Sequence, residues 1–418
     1  MSHAPHHVPP SPPELAARWQ ALGQEWAHWY ARAASGLAGG SAAAIKLPAA
    51  IAPRTIDPQK LAELNAKYQA RWEALWSAAT VALVPDAQGP RPIPDVTHPA
   101  PDDHRFAARE WRELPYFALL KQGYLLFGEY LNEIATLAEL PEQEKRRLAF
   151  LTKQYVDALA PTNFLATNPE VLNRALSTQG ASLARGLANL AADARRGRIS
   201  MSDDRAFEVG RNLALTPGSV VFRNDLIELL QYAPTTARVR RRPLVIVPPC
   251  INKYYILDLQ PENSYVRWAV GEGHTVFMLS WRNIPPELGR STWDDYLEQG
   301  VLTAIGVARE IADSKTINAL GFCVGGTFLA CALALASARG ERSVASVTLL
   351  TTMLDFADPG DIGVYISRDF LTAREPALMA GQRIHGAELA AAFASLRAND
   401  LIWSYVVGNY LKGETPPA

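Results

Sequence analysis

Cysteine is scarce in this 418-residue chain: Cys250, Cys323 and Cys331 are the only three. So sparse and odd a count excludes a disulfide framework and fits a reducing compartment. No histidine neighbours Cys323 or Cys331, which argues against a zinc site. Charge of one sign is lacking too, with 41 basic against 42 acidic residues and a formal charge of -1. That balance removes any electrostatic pull toward nucleic acid or an anionic membrane. No uninterrupted apolar run approaches the roughly 20 residues a spanning helix needs. Residues 1–13 hold three His and five Pro. They contain no apolar core of a signal peptide. The expectation is a soluble, cytoplasmic protein with no nucleic-acid partner, no metal and no transmembrane segment.

What is present is ample apolar material, 48% of the residues, enough for a sizeable core. Residues 1–13 read as disordered. Leu15, Trp19, Leu22, Trp26 and Trp29 then recur at helical steps. That apolar stripe serves either packing or a partner. Asp57 and Pro58 open a second helix to about Trp76. The Pro- and Asp-rich stretch 84–103 reads as a linker. Helices resume from Arg109 to Leu159, and Asn168-Pro169 opens another that ends near Gly197. No strand is evident in the first 200 residues.

The texture changes near residue 240. Arg238, Arg240, Arg241 and Arg242 read as a solvated strand entrance or a phosphate contact. Strands are expected at Leu244–Val247, Thr275–Ser280, Thr316–Leu320 and Val344–Thr351. Helices are expected between them, at Pro261–Gly271, Ser291–Ala312 and Gly325–Ala338. Strictly alternating strands and helices predict an α/β fold with a parallel sheet covered on both faces.

One motif carries chemistry. Gly321-Phe322-Cys323-Val324-Gly325-Gly326 lies between the third strand and its helix. It matches G-x-S-x-G with Cys in place of Ser, in the strand–turn–helix context of a nucleophile elbow. Gly321 and Gly325 leave room where Cβ atoms would collide with neighbouring backbone. Cys323 is the candidate nucleophile, placed at a helix N-terminus whose positive end favours negative charge. The Val324 backbone N–H would face a developing oxyanion. The Ile251 N–H, on the loop after the first of these strands, is the candidate second donor. A sulfur nucleophile suits acyl transfer from a thioester, because the acyl-enzyme stays reactive. Cys331, inside an apolar helix, reads as core.

The string 321–327 resembles the lipase-like box of class I polyhydroxyalkanoate synthases. So do Pro248–Leu259, Ser280-Trp281-Arg282-Asn283, Ser291–Tyr296, Leu354-Asp355-Phe356 and Asn399–Trp403. Pro161-Thr162-Asn163-Phe164 and Thr216-Pro217-Gly218 resemble that family's N-terminal domain. The resemblance runs from about residue 100 onward. It implies an α/β-hydrolase-type parallel sheet, incomplete at the C-terminus, preceded by a mainly helical N-terminal domain. The implied organisation is a helical and linker region over 1–105, the helical domain over 106–235, and the catalytic domain over 236–418 with the start of a cap. It also implies polymerisation of (R)-3-hydroxyacyl-CoA into polyester with release of CoA. The coenzyme A thioester is then substrate, and no cofactor is required. A homodimer on the surface of cytoplasmic polyhydroxyalkanoate granules is the implied assembly.

The same resemblance implies an Asp and a His after the nucleophile, and neither is matched. Only His385 follows Cys323, in a stretch that resembles the cap. His274 reads as a turn or surface residue. None of Asp355, Asp358, Asp361, Asp369 and Asp400 matches the family's catalytic Asp. The expectation is a reading frame that ends early and a chain nearly inactive alone. A non-catalytic fragment that dimerises or coats granules is the competing reading, and an ordinary thioesterase is the weakest.

Overall fold

The computed structural model describes residues 56–83 and 92–417. The apolar stripe Leu15–Trp29, the expected disorder of residues 1–13, and the first part of the expected linker lie outside the described residues. Two compact units emerge. One takes the described residues up to Asp203 together with Asp361–Ser367 and Ala387–Pro417. The other takes Asp204–Gly360 and Arg368–Gly386.

The first unit is helical. Pro58–Leu83 and Pro115–Leu137 pack through Leu64, Tyr68, Leu75, Ala79, Ala118 and Leu126. The steps of four, seven and four along the first helix are one apolar face. That face continues through Ala79 and Ala82, which is why the helix runs past the predicted end at Trp76. Asn168 caps the next turn as expected, its Oδ1 accepting from Glu170 N at 3.0 Å and Val171 N at 3.2 Å. The single helix predicted from there to Gly197 is two, Pro169–Ser177 and Ala181–Arg196. The chain breaks where Gln179 and Gly180 adopt φ of 50° and 83°, a left-handed conformation no right-handed helix can include.

Asp193 is a buried anchor of this unit, 3% exposed. Its carboxylate accepts from Ser200 N at 2.8 Å, Ser200 Oγ at 2.6 Å and Tyr410 Oη at 2.8 Å. Asp193→Asn turns one acceptor into a donor facing donors. It is expected to cost about 2 kcal/mol, the penalty of a buried polar group left unpaired. Urea denaturation measures it, and an unchanged midpoint would count against this anchoring.

The second unit carries a six-stranded sheet in the order β1-β2-β4-β3-β5-β6. The strands are β1 Gly218–Arg223, β2 Ile227–Tyr232, β3 Leu244–Val247, β4 Val276–Trp281, β5 Ile317–Phe322 and β6 Val344–Leu350. β3 to β6 lie parallel to one another, and β1 and β2 add an antiparallel edge. The four strands expected from the sequence are the parallel ones, and the antiparallel edge is an addition to them. Asn224 makes it possible, its Oδ1 accepting from both Leu226 N and Ile227 N at 2.9 Å to close the turn.

Alternation along β3 explains the two layers. Val245 and Val247 join the core beneath helices Thr303–Ile311 and Val324–Ala338. Leu244 and Ile246 join the opposite core against helix Tyr265–Gly271. The strand order and the helix on each face are those of the α/β-hydrolase type. From β3, the chain winds one way to β4 and the other way to β5. Loops after β3 and β5 therefore meet at a topological switch point, the usual ligand crevice of open α/β sheets.

Candidate active site

Cys323 sits at that switch point, between β5 and helix Val324–Ala338. Its backbone has φ 55° and ψ -130°, a region side-chain-bearing residues rarely visit. Two backbone contacts of its own hold it there, and a third bond ties down the first turn of the helix. Cys323 N donates to Leu350 O at the end of β6 at 3.0 Å, and Cys323 O accepts from Gly326 N at 2.9 Å. Thr327 Oγ1 donates to Met353 O at 2.8 Å. The result is an exposed thiol at the head of the helix.

Backbone crowds both elbow glycines. A Cβ on Gly321 would lie 2.4 Å from Gly326 Cα, and one on Gly325 2.2 Å from Val247 O. Gly326, not singled out from the sequence, is tighter still. A Cβ there would meet Thr352 Oγ1 at 2.0 Å. The second glycine of the Gly-Gly pair was its only signal.

Val324 is the first residue of the helix, and its N–H has no intrahelical acceptor. Neither Val324 N nor Ile251 N donates to a backbone carbonyl among the described residues. Ile251 lies exposed in the loop after β3. Both amides therefore lack a backbone acceptor among the described residues. The loop is close to helix Val324–Ala338, because Pro248 O would lie 2.5 Å from a Gly325 Cβ.

Cys250 is on the same loop, half-buried and packed, like Val324, against the core. Burial pushes its thiol up, and the neighbouring Cys323 thiol adds to the shift. Since the thiolate is the reactive form, Cys250 is expected to react with iodoacetamide on the order of tenfold more slowly than Cys323 at neutral pH. Peptide mapping after timed labelling checks this; equal labelling would overturn it. Cys331 is half-buried in the helix and packs on the core, as expected.

The histidines lie elsewhere. His274 precedes β4, at the N-terminal end of the parallel strands, whereas Cys323 follows the C-terminal end of β5. The length of a strand, on the order of 15–20 Å, separates the two edges. Burial lowers the His274 pKa, with Arg240 adding to it, and its Nδ1 is buried without a partner. His385 is exposed between helices Arg368–Met379 and Gly386–Leu396. Among the described residues no histidine or carboxylate side chain hydrogen-bonds to the Cys323 sulfur. The four arginines before β3 are exposed. Arg240 Nε donates to Glu272 O at 3.2 Å and Arg242 Nε to Thr316 Oγ1 at 3.1 Å. They border the N-terminal edge of the strands, as a solvated entrance does. Among the described residues no group of three or more His, Cys, Asp or Glu is arranged to hold a metal ion. No helix of the described residues is long and apolar enough to cross a membrane.

Comparison with known proteins now adds to this geometry. A family model described as the poly-beta-hydroxybutyrate polymerase (PhaC) N-terminus matches residues 102–269. The poly(3-hydroxyalkanoate) polymerase subunit PhaC of Cupriavidus necator is 46% identical over 399 residues, covering 94% of this chain and 66% of the relative. The poly(3-hydroxyalkanoate) polymerase of Methylorubrum extorquens is 42% identical over 368 residues, covering 87% of this chain and 60% of the relative. This chain therefore spans less than two thirds of the length of either. Among solved structures, a brefeldin A esterase, a bacterial homologue of human hormone-sensitive lipase, matches at 18% identity. It covers 55% of this chain and 60% of its own, with a TM-score of 0.28. That likeness is too loose to add to the sheet topology. With identities of this size running through both the helical unit and the nucleophile elbow, the chain belongs to the poly(3-hydroxyalkanoate) polymerase family.

Proposed function

We propose that the protein is an acyltransferase that polymerises (R)-3-hydroxyacyl groups from coenzyme A thioesters, with Cys323 as the covalent carrier. One observation carries this reading: an exposed thiol on a strained strand-to-helix turn, ringed by glycines that no side chain could replace.

The chemistry follows from the atoms present. The Cys323 sulfur attacks the thioester carbonyl, and its proton leaves with the departing CoA sulfur. The carbonyl oxygen becomes an oxyanion that the Val324 and Ile251 N–H groups receive, with the positive end of helix Val324–Ala338 behind them. One thioester is exchanged for another, so the step changes bond energy little. Elongation joins an acyl group to the 3-hydroxyl of another: the hydroxyl oxygen attacks an acyl carbonyl, a C–O bond replaces a C–S bond, and the freed sulfur takes the hydroxyl proton. General-base help from a histidine is typically worth roughly 100- to 10,000-fold in such steps. The assembly proposed is a homodimer at the surface of a cytoplasmic polyester granule.

A second reading is a chain that dimerises or coats granules without turnover. It is favoured by the lack of any histidine or carboxylate hydrogen-bonded to the Cys323 sulfur among the described residues. Intact-protein mass spectrometry after incubation with (R)-3-hydroxybutyryl-CoA separates the two. A hydroxybutyryl adduct on the parent and none on Cys323→Ala supports the acyltransferase. No adduct on either supports the second reading, and an equal adduct on both removes Cys323 as the carrier.

A further inference from the structure

The loop that carries Cys250 and Ile251 leaves β3 through Pro248 and Pro249. Neither proline has an N–H, so the sheet's hydrogen-bond ladder cannot continue past Val247. Some other group must hold this backbone. Pro248 O accepts a hydrogen bond from Trp281 Nε1 at 2.8 Å. Trp281 is the last residue of β4 and pairs with Ile227 of β2, so the donor rides on the rigid sheet. The same carbonyl borders Gly325 on its other side, 2.5 Å from where a Cβ would be. It is therefore clasped between the indole and the nucleophile's helix.

The indole has its own seat. Its ring centroid is 5.2 Å from that of Tyr296 and 5.4 Å from that of Phe328. Phe328 is one turn along the helix from Val324. Gly300 opens the space: a Cβ there would lie 2.6 Å from the Trp281 ring. Gly300 is buried within the π-helical stretch Tyr296–Leu302, a local widening that recurs at functional sites. A phenylalanine would fill much of this seat by packing alone. What only tryptophan adds is the N–H that reaches Pro248 O.

We propose that Trp281 is a positioning residue. Its indole N–H fixes the Pro248 carbonyl and so holds the Cys250–Ile251 segment against Cys323. Its consequence for catalysis rests on the reading of Cys323 and Ile251 given under Proposed function.

Trp281→Phe tests this by two separate readouts. The first is hydrogen exchange in the full chain. The Ile256 amide, which donates to Lys253 O at the end of this segment at 3.1 Å, is expected to exchange at least several-fold faster than in the parent, while those of β3 and β5 stay protected. The second is the rate of hydroxybutyryl adduct formation from (R)-3-hydroxybutyryl-CoA. Its saturating rate should fall about tenfold to hundredfold, less than the loss of a whole oxyanion donor, with the half-saturating concentration little changed. A purely structural role would lower the melting temperature and leave both readouts alone. Unchanged exchange at Ile256 overturns the proposal. Faster exchange with an unchanged adduct rate also overturns it, by severing the loop from the reaction. If the parent forms no adduct, the nucleophile reading fails, and exchange alone decides the positioning. Should Trp281→Phe not fold, the indole N–H of the parent decides instead. It must exchange far more slowly than that of Trp268, whose side chain is exposed; equal rates would refute the bond.

Discussion

Gly325→Ala is expected to lower the melting temperature by about 10 °C and to cut hydroxybutyryl loading of Cys323 by more than tenfold. The new Cβ would lie 2.2 Å from Val247 O, 2.5 Å from Pro248 O and 2.6 Å from Pro248 C. All three are backbone atoms, held by the end of β3, so no side chain can rotate away. Either the helix or the β3 loop must shift. Overpacking of this kind costs on the order of 3 kcal/mol. Both choices also damage the site, since one carries Cys323 and the other Ile251. Gly306→Ala is the control. It lies exposed in helix Thr303–Ile311, and a Cβ there meets nothing within 4 Å. There the substitution should be neutral or stabilise by up to about 1 kcal/mol, as an alanine does in a helix interior. Differential scanning calorimetry of both variants decides the matter. Equal melting temperatures would sink the claim that these glycines mark forced contacts.

Much of the second unit was legible because its signals are local. The runs Leu244–Val247, Val276–Trp281 and Ile317–Phe322 are apolar, short and spaced by helical segments, and each is a strand within a residue or two of its expected bounds. Cys323 was legible for the same reason: two glycines and a strand–helix junction surround it. The β1–β2 hairpin was not. Gly218–Arg223 is mostly exposed and Ile227–Tyr232 has a Glu and a Gln inside it, so neither reads as a buried run. Its signal lay in Asn224, whose side chain closes the turn, and in the buried Ile227 and Leu229 one step apart. The break at Gln179-Gly180 was missed because one glycine in a helical pattern costs only about 1 kcal/mol, too little to forbid a continuous helix. Trp281 stood out only within the family-like string Ser280–Asn283, and its hydrogen bond was not legible. Its partner, Pro248 O, is a backbone atom 33 residues away, and main-chain acceptors leave no mark on the residue type that bears them.

Cys323→Gly should be more stable than Cys323→Ala by about 1 kcal/mol, although both abolish the hydroxybutyryl adduct. At φ 55° and ψ -130°, a residue with a Cβ carries strain of about 1–3 kcal/mol. Alanine keeps the Cβ and keeps the strain. Glycine relieves it, against a loss of about 0.5–1 kcal/mol from the greater freedom of its unfolded chain. The thiol is exposed, so its removal sacrifices little packing in either variant, and the comparison isolates the backbone. A melting temperature higher in the glycine variant by about 2–4 °C would be the result of that difference. The reverse order would mean that the turn stores no strain and that its shape is imposed by the glycines on either side alone. The expected order carries a mechanistic meaning. The fold holds Cys323, the proposed acyl carrier, in a conformation it would not choose. The Leu350 and Gly326 contacts that enforce it also fix the first turn of helix Val324–Ala338. Under the proposed acyl transfer, one strained turn sets both the sulfur and the Val324 amide, and the stability surrendered at Cys323 keeps the two in register.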